Sequence, residues 1–292
     1  MGQYNEALKW FEKALPVLKQ AYGANDEKVA TCLGFIGNTY YTLSDGKNAE
    51  KYLLQALEIR EQAPDRYSPN LARSYNHLAV LALSRDSLDA ARNYCNKALE
   101  IYRRNSDGPI HMVALLYATL GRVAMREGKN DEAMSWFQKT LNDYQTIFGS
   151  VHYDVATCHN LIGRLYFNQK EYDKALTCYE KALAIQEKVL GTWHPYVATA
   201  YNDVGTAYSC LGNQEKALEN YLKAKDIQEK ISGPDHLSVG TYYANIAIEY
   251  DKYGRRQEAL EYSGKALNIL KKWYAPDHPS ILLIQKIFDR SK

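Results

Sequence analysis

Four histidines at equal intervals are the first residues whose type and spacing suggest chemistry. His152, His194, His236 and His278 are each 42 residues apart, and histidine is the commonest metal ligand among side chains. One histidine in each 42-residue unit places neighbouring rings about a helix-pair width apart, roughly 18–20 Å. No metal ion spans that distance. The spacing therefore predicts residues of a joint, whose rings hydrogen-bond a loop carbonyl, and no metal site.

The cysteines indicate neither a disulfide framework nor a zinc site, because they are dispersed, odd in number and without a Cys-x-x-Cys pair. We interpret each as a small packing residue. Free thiols are typical of a reducing compartment, so we expect a cytoplasmic protein. The five are Cys32, Cys95, Cys158, Cys178 and Cys210.

No arrangement typical of an active site is present in the sequence. It contains no Gly-rich phosphate loop, no Gly-x-Ser-x-Gly elbow and no His-Glu-x-x-His motif. Carboxylates such as Glu180, Glu187 and Glu219 neighbour lysines at helical spacing, which is a solubility pattern on outward helix faces. We expect no enzyme and no cofactor.

Composition excludes two classes of partner. Thirty-six Lys and Arg against 34 Asp and Glu leave a net charge of +2, too small for the basic field that nucleic-acid binding requires. No window approaches the ~18 uninterrupted apolar residues of a membrane span, and charged sequence follows Met1 where a signal peptide would be apolar. The expected partner is a protein or a linear peptide motif, with no nucleic acid and no membrane.

The chain is an internal repeat with a period of 42 residues, without one insertion or deletion. Three columns of small residues stay in phase along it, which predicts a repeat architecture. The first column is Ala7, Ala49, Ala91, Ala133, Ala175, Ala217 and Ala259. The second is Ala14, Ala56, Ala98, Thr140, Ala182, Ala224 and Ala266. The third, called the small-residue slot below, is Gly37, Ala79, Gly121, Gly163, Gly205 and Ala247.

Each unit carries two helical periods, which predicts an all-α solenoid of antiparallel helix pairs. The stretches 197–212 and 214–231 both place apolar or small residues at the spacing of one helix face. Short polar turns join the helices of a pair, and joints such as GTWHP end one helix with Gly and begin the next with Pro. The predicted ranges are an orphan second helix at 1–22, six pairs at 28–63, 69–104, 111–147, 153–189, 195–231 and 237–273, and a terminal helix at 279–290, in one array over 1–292.

These residues resemble the tetratricopeptide repeat family over essentially the whole chain. The motif of an aromatic, then Leu-Gly, Tyr, Ala, an aromatic and Ala is matched by Tyr201, Val204, Gly205, Tyr208, Ala217, Tyr221 and Ala224. The period and the joint Gly191, His194 and Pro195 are similar to the kinesin-light-chain and nephrocystin-3 type. The resemblance implies a right-handed superhelix (an α-α superhelix of the tetratricopeptide type) that serves as a protein-binding scaffold.

The two ends differ from the repeat. Met1 lies in the turn of a unit, so the first helix of that unit is missing, which indicates a fragment or the boundary of a larger protein. The uncapped helix at Tyr4–Lys19 would allow end-to-end self-association, a contact that we would regard as an artefact of missing sequence. At the other end Asp289 occupies the small-residue slot and would block close packing, which is typical of a capping helix.

The first helix of each pair is expected to line the concave wall of the solenoid. Three residues before the slot the column reads Gly34, Asn76, Ala118, Asn160, Asn202 and Ala244, with Asn245 one step beyond. A primary amide both donates and accepts, so it can hold the C=O and N–H of an extended peptide. The resemblance implies that role for Asn76, Asn160 and Asn202. The alternative is that the amides bond the neighbouring helix and stabilise the stack. The resemblance also argues against capture of a free C-terminal carboxylate by the lysine clamp of chaperone-tail receptors, because the six helix pairs have Asn, Gly or Ala in this column.

Arginines and apolar residues follow the slot. The position one residue after the slot holds Asn38, Arg122 and Arg164. We expect the guanidinium groups of Arg122 and Arg164 to converge, with Arg73 and Arg126 nearby. Clustered arginines favour carboxylate or phosphate, although they can equally be solvated or paired internally. Four residues after the slot an apolar ledge is expected, which can instead be ordinary packing between units. It consists of Tyr41, Leu83, Met125 and Phe167.

Two functions remain open from the sequence. The first is an interaction scaffold whose groove binds an extended peptide or partner segment, acidic with an apolar anchor. The second is a regulatory sensor domain of a larger signalling protein, whose superhelix pitch responds to a ligand. Sequence outside this chain would distinguish them.

Overall fold

All regular secondary structure is α-helical in the computed structural model, which describes residues 2–104 and 109–292. The helices found in those ranges are α1 (Gly2–Tyr22), α2 (Glu27–Thr42), α3 (Gly46–Gln62), α4 (Pro69–Ser84), α5 (Leu88–Arg104), α6 (Ile110–Arg126), α7 (Asn130–Phe148), α8 (Tyr153–Asn168), α9 (Tyr172–Leu190), α10 (Pro195–Cys210), α11 (Gln214–Ser232), α12 (Leu237–Lys252), α13 (Arg256–Leu270) and α14 (Pro279–Ser291). The fold class is therefore the expected all-α repeat.

The chain forms two compact units, residues 1–147 and 148–292. In unit 1, α2 packs on α3 and α4 on α5, while α1·α2, α3·α4 and α5·α6 join neighbours in sequence. In unit 2 the same order holds for α8·α9, α10·α11 and α12·α13, followed by α14 against α13 and α12. Within each unit, the consecutive helices α1 to α6 and α8 to α14 thus pack on one another, while the single array over 1–292 stays a prediction.

The turn inside every pair contains one residue in the left-handed region of backbone space. Glycine adopts this conformation without the steric cost that a Cβ brings. Three pairs have glycine at this position and three have another residue. The positive φ angle therefore occurs in every repeat and does not depend on the residue type. The six positions and their φ angles are Ser44 (63°), Asp86 (59°), Gly128 (75°), Lys170 (62°), Gly212 (77°) and Gly254 (72°).

The repeated histidines cap helices and do not bind loop carbonyls as expected. The ring nitrogen Nδ1 of His194 accepts the backbone N–H of Tyr196 at 3.2 Å, which satisfies a free donor at the start of α10. His152, His236 and His278 accept the N–H two residues further on in the same way. In unit 1, Asp26 and Ser68 occupy the same place and cap α2 and α4.

Substituting His194 by alanine is expected to lower the free energy of unfolding by about 1 kcal/mol, because the cap of α10 is lost. His194→Ser is the matched control, since serine already caps α4 at the equivalent position. The measurement is the guanidinium midpoint of both variants. Equal destabilisation by alanine and serine would contradict a capping role.

Tyrosine hydroxyls bind successive helix pairs together through glutamates. Tyr201 on α10 donates to Glu187 Oε1 at 2.6 Å, and Tyr243 on α12 donates to Glu229 Oε1 at 2.7 Å. Burial and the adjacent carboxylate raise the pKa of both phenols to about 12. Glu187, expected only as a solubilising charge, thus also contributes to packing.

Glycine in the small-residue slot allows a bulky residue of the second helix to approach the first. A Cβ on Gly121 would lie 2.5 Å from Cε1 of Phe137, and one on Gly163 would lie 2.7 Å from Cδ1 of Tyr179. Both distances are shorter than any ordinary carbon contact. The close approach predicted from the column therefore occurs in both units.

Three of the cysteines are packing residues as expected. Cys32, Cys95 and Cys158 are buried, and burial raises the pKa of the Cys95 and Cys158 thiols to about 12. Cys178 is partly buried and Cys210 is exposed, so the interpretation as a small packing residue is wrong for Cys210. All five are free thiols.

Candidate functional site

The candidate residues all lie on first helices, on what we call the ligand face. It comprises the residues six and three before the small-residue slot and one, four and five after it, together with Asn245. Because the compact units are described separately, each part of the face is treated within its own unit. Unit 1 contributes Asn38, Arg73, Asn76, Leu83, Arg122, Met125 and Arg126, and unit 2 contributes Asn160, Arg164, Phe167, Asn202 and Asn245.

Two asparagines in equivalent positions have an unused acceptor. The side-chain oxygens Oδ1 of Asn76 on α4 and Asn160 on α8 are buried and accept no hydrogen bond within the described ranges. A buried carbonyl without a donor costs free energy of about 1–3 kcal/mol. Asn160 is partly exposed, whereas Asn76 is 4% exposed. The Asn160 side chain is therefore closer to the surface than that of Asn76, although both oxygens are buried.

The other two asparagines bind each other. Asn245 Nδ2 on α12 donates to Asn202 Oδ1 on α10 at 2.7 Å. This bond realises the alternative in which an amide joins neighbouring helices. The side chain of Asn245, which lies one residue after the asparagine column, is therefore directed towards the preceding helix pair.

An arginine and an acid stand together in unit 2. Arg164 on α8 is exposed and forms no ion pair with another described residue. Burial raises the pKa of the Asp203 carboxyl on α10 to about 6, against the opposing effects of the Asn202 hydrogen bond and the Arg164 guanidinium. The sequence did not single out Asp203, because an acid among ordinary helix positions gives no signal of burial.

In unit 1 the corresponding region is built around a neutral histidine. Asn38 Nδ2 lies 3.1 Å from Nε2 of His77. Burial, then the charges of Arg60 and Arg73, lower the pKa of His77 to about 4, so the ring is uncharged at neutral pH. Arg73 is exposed and has no ion pair in the described part of this unit. His77 was missed because its column, two residues before the slot, has no recurring residue type and holds Asp203 and Asn245 in later repeats.

The apolar ledge is mostly ordinary packing. Leu83 is 2% exposed and belongs to a core cluster with Ala82, Ala91 and Val123, so the prediction that it contacts a ligand is wrong. Phe167 is partly buried, with its ring 5.3 Å from that of Tyr172. Side chains at this position turn towards the next helix pair, and burial there was invisible in the sequence.

The remaining candidates are less available than expected. Arg126 pairs with Asp86 at 2.8 Å, and both side chains are exposed, so this contact is a weak surface ion pair. Arg122 and Met125 on α6 are partly buried. The convergence of Arg122 with Arg164 stays a prediction, since the two residues belong to different units.

A pocket that the sequence did not predict lies at the end of unit 2. It has a volume of about 300 Å³ and is enclosed between α12, the end of α13 and α14. Ala244 and Ile248, which line it, belong to the ligand face of α12, so the pocket opens on that face. Also among its lining residues are Thr241, Asn245, Leu270, Leu283 and Ile284.

In ranges 2–104 and 109–292, no three His, Cys, Asp or Glu side chains are grouped in a way that could hold a metal ion. None of the helices found there combines the length and apolar character needed to cross a membrane.

Comparison with known families decides the fold family. The profile described as "Tetratricopeptide repeat" matches residues 1–62, 36–104, 112–187, 160–230 and 215–272, most of the chain. The chain belongs to the tetratricopeptide repeat family. Repeats of this family mediate protein–protein interaction, and they are typically scaffolds without catalytic activity. A search of curated proteins finds no significant match.

Solved structures share the fold of this tetratricopeptide repeat protein. BtubC (BKLC) from P. vanneervenii has 22% identity and a TM-score of 0.62, over 79% of this chain and 91% of that one. A putative kinesin light chain from Podosopora anserina has 23% identity and a TM-score of 0.60, over 70% and 96%. A signal transduction ATPase from Pyrococcus horikoshii has 18% identity and a TM-score of 0.71, over 91% of this chain but 39% of that one.

Proposed function

We propose that the protein is a scaffold that binds an extended segment of a partner protein along the ligand faces of its first helices. The observation that carries the proposal is the pair of unused amide oxygens on Asn76 and Asn160, one in each unit. Buried polar groups in proteins are nearly always hydrogen-bonded, so two vacant acceptors in the same repeat position call for a donor. The backbone N–H groups of an extended peptide would supply it.

The charge of the ligand follows from the arginines. Arg73 and Arg164 are both exposed, and neither has an ion-pair partner within its described unit. An exposed guanidinium group that makes no ion-pair contact in the protein pairs favourably with a carboxylate of a ligand. The bound segment is therefore acidic. The conversion of Asp203 to its neutral form below pH 6 removes a negative charge beside Arg164, so acidic segments bind more tightly at mildly acidic pH.

Binding to an array of short peptides of graded net charge tests the proposal. Arg164→Glu is expected to weaken binding of acidic peptides by tenfold or more, because it replaces an attraction by a repulsion. Asn160→Ala is expected to cost roughly tenfold, the value of one buried hydrogen bond. Fluorescence anisotropy with the best acidic peptides gives the dissociation constants.

Two controls separate this site from surface charge in general. Arg256→Glu and Asn268→Ala alter exposed residues on the second helix α13, away from the ligand face. Both are expected to bind like the unaltered protein. Equal losses in controls and test variants, or no peptide binding at all, would contradict the proposal.

The sensor function stays an alternative. The Pyrococcus horikoshii protein is described as carrying a tetratricopeptide repeat sensor, but at 18% identity the likeness concerns the fold alone. No residue of the described ranges favours a sensor over a scaffold, so a single function is proposed.

A further inference from the structure

We infer that the pocket between α12 and α14 receives one apolar side chain of the bound segment, next to a carboxylate of the same segment. This inference rests on the proposed function and names the anchor that the ligand must carry. It also assigns a binding role to α14, which the sequence predicted only as a cap.

The shape and lining of the pocket indicate a single large apolar side chain. Its volume is about 300 Å³, whereas an apolar cavity of roughly 150 Å³ already holds benzene. The walls come from Ile248, Leu270 and Ile284, and the open side from Leu283. Four of the nine lining residues carry polar groups, so the aliphatic wall forms only part of the surface. That wall disfavours a charged side chain against it, because burying such a group without partners is costly.

Polar groups at the rim connect the pocket to the peptide-binding face. Thr241 and Asn245 line it together with the aliphatic residues. Asn245 is also the residue whose amide donates to Asn202, one helix pair earlier. A backbone that runs past Asn202 and Asn245 therefore passes the mouth of the pocket, and one of its side chains enters there.

The charge beside the pocket selects the neighbour of the anchor. Lys286 lies three residues after Leu283 on α14, hence on the same helix face one turn on. It is exposed and has no ion pair with any residue that the structure describes. It occupies the position of the asparagine column, three residues before Asp289. A carboxylate next to the apolar anchor would pair with this ammonium group.

The occupant is thus a peptide segment with an aliphatic or aromatic residue adjacent to a carboxylate. The carboxylate belongs to an acidic side chain within the segment, as the extended segment of the proposed function requires. Peptides with an amidated carboxyl terminus are therefore expected to bind as well as those with a free one, and a requirement for the free terminus would overturn this assignment.

The test uses an array of peptides in which one central residue is varied and its neighbour is Glu, Gln or Lys. The full chain is compared with Leu283→Lys, which places a charge at the mouth of the pocket. We expect preference for apolar central residues with Glu beside them, and a loss of roughly tenfold or more in affinity on Leu283→Lys. Lys286→Glu is expected to abolish the preference for Glu over Gln.

The matched control is Leu282→Lys, one residue earlier. Leu282 is 57% exposed and Leu283 50% exposed, and only Leu283 lines the pocket. Because both side chains are half exposed, neither variant threatens folding, which circular dichroism verifies. Leu282→Lys is expected to bind like the unaltered protein.

The outcomes separate the pocket from the wider proposal. If acidic peptides bind, and Asn160→Ala and Arg164→Glu weaken them while Leu283→Lys does not, the pocket inference is overturned and the proposed function stands. If no peptide of the array binds the full chain, both are overturned. Equal losses in Leu282→Lys and Leu283→Lys would also overturn the pocket, because they would indicate a charge effect on α14.

Discussion

Replacing Gly121 by alanine is expected to lower the free energy of unfolding by about 2 kcal/mol in the unaltered protein. The same substitution is expected to raise it by about 1 kcal/mol when Phe137 is already cysteine. The added Cβ would lie 2.5 Å from Cε1 and 2.6 Å from Cδ1 of Phe137, a ring that is 0% exposed. Overpacking of a rigid core costs up to about 3 kcal/mol, and the better helix propensity of alanine returns roughly 1 kcal/mol.

The change of sign follows from the repeat itself. The side chain that faces the small-residue slot lies sixteen residues after it in the sequence. This side chain is large where the slot holds glycine and small where the slot holds alanine. The four glycines Gly37, Gly121, Gly163 and Gly205 face Leu53, Phe137, Tyr179 and Tyr221. The two alanines, Ala79 and Ala247, have Cys95 and Ser263 at the same spacing. Cysteine at position 137 would therefore create the space that an alanine needs.

Denaturant midpoints of Gly121→Ala, Phe137→Cys and the double variant measure this coupling. Gly34→Ala is the control, because a Cβ on that helical glycine would meet nothing within 4 Å. It is expected to be stabilising by about 1 kcal/mol. A stabilising Gly121→Ala in the presence of Phe137 would show that the helices separate without cost and would contradict the close approach.

The second large effect concerns a buried acid, and the expected result is a more stable protein. Glu249→Leu is expected to raise the free energy of unfolding by about 2 kcal/mol, since replacing a buried charge by a packed apolar residue is commonly neutral or stabilising. Glu249 is 1% exposed, and the equivalent positions in α4 and α8 hold Leu81 and Leu165. The repeat thus shows that the site accommodates leucine.

The contacts of Glu249 satisfy only half of its carboxylate. Oε2 accepts from Ser209 Oγ at 2.5 Å and from Lys252 Nζ at 3.3 Å. Oε1 is buried and has no partner among the described residues. An unpaired buried oxygen carries the full cost of losing its water. Leucine removes that cost and adds apolar burial.

Thermal and denaturant unfolding of Glu249→Leu check the prediction. The opposite exchange, Leu81→Glu, serves as the control. The positions equivalent to Ser209 and Lys252 are Tyr41 and Ser84, so position 81 lacks the lysine that lies next to Glu249. Without a nearby cation the new acid is expected to cost about 4 kcal/mol. A destabilising Glu249→Leu would show that the Ser209–Glu249–Lys252 network contributes more than its desolvation costs.

Much of the architecture could be read from the sequence. The 42-residue period, the helix pairs and the column of close approach follow from spacing alone, because a helix repeats its faces every 3.6 residues and small residues mark where two axes meet. The size compensation between Gly121 and Phe137 is also present in the sequence. It is visible only when the column sixteen residues after the slot is set beside the slot itself, because neither column alone shows a size pattern.

The roles of the individual ligand-face residues were decided by tertiary structure. Asn76, Asn160 and Asn202 share one column, yet the first is buried, the second is partly exposed with a vacant oxygen, and the third accepts a hydrogen bond from Asn245. Spacing determines which way a side chain points, but the neighbouring pair determines what it meets. That neighbour is about forty residues away in the chain.

The pocket beside α14 shows the same limit. Asp289 in the small-residue slot predicted only a cap, and the cap stays a prediction. Helix α14 packs on α13 and α12 as α6 packs on α5 and α4, and the cavity lies where Leu283 and Ile284 line it together with Ile248. A sequence period describes what successive units share. The space left where the last helix meets the preceding pair depends on how side chains of three helices fill it, and only the folded chain determines that.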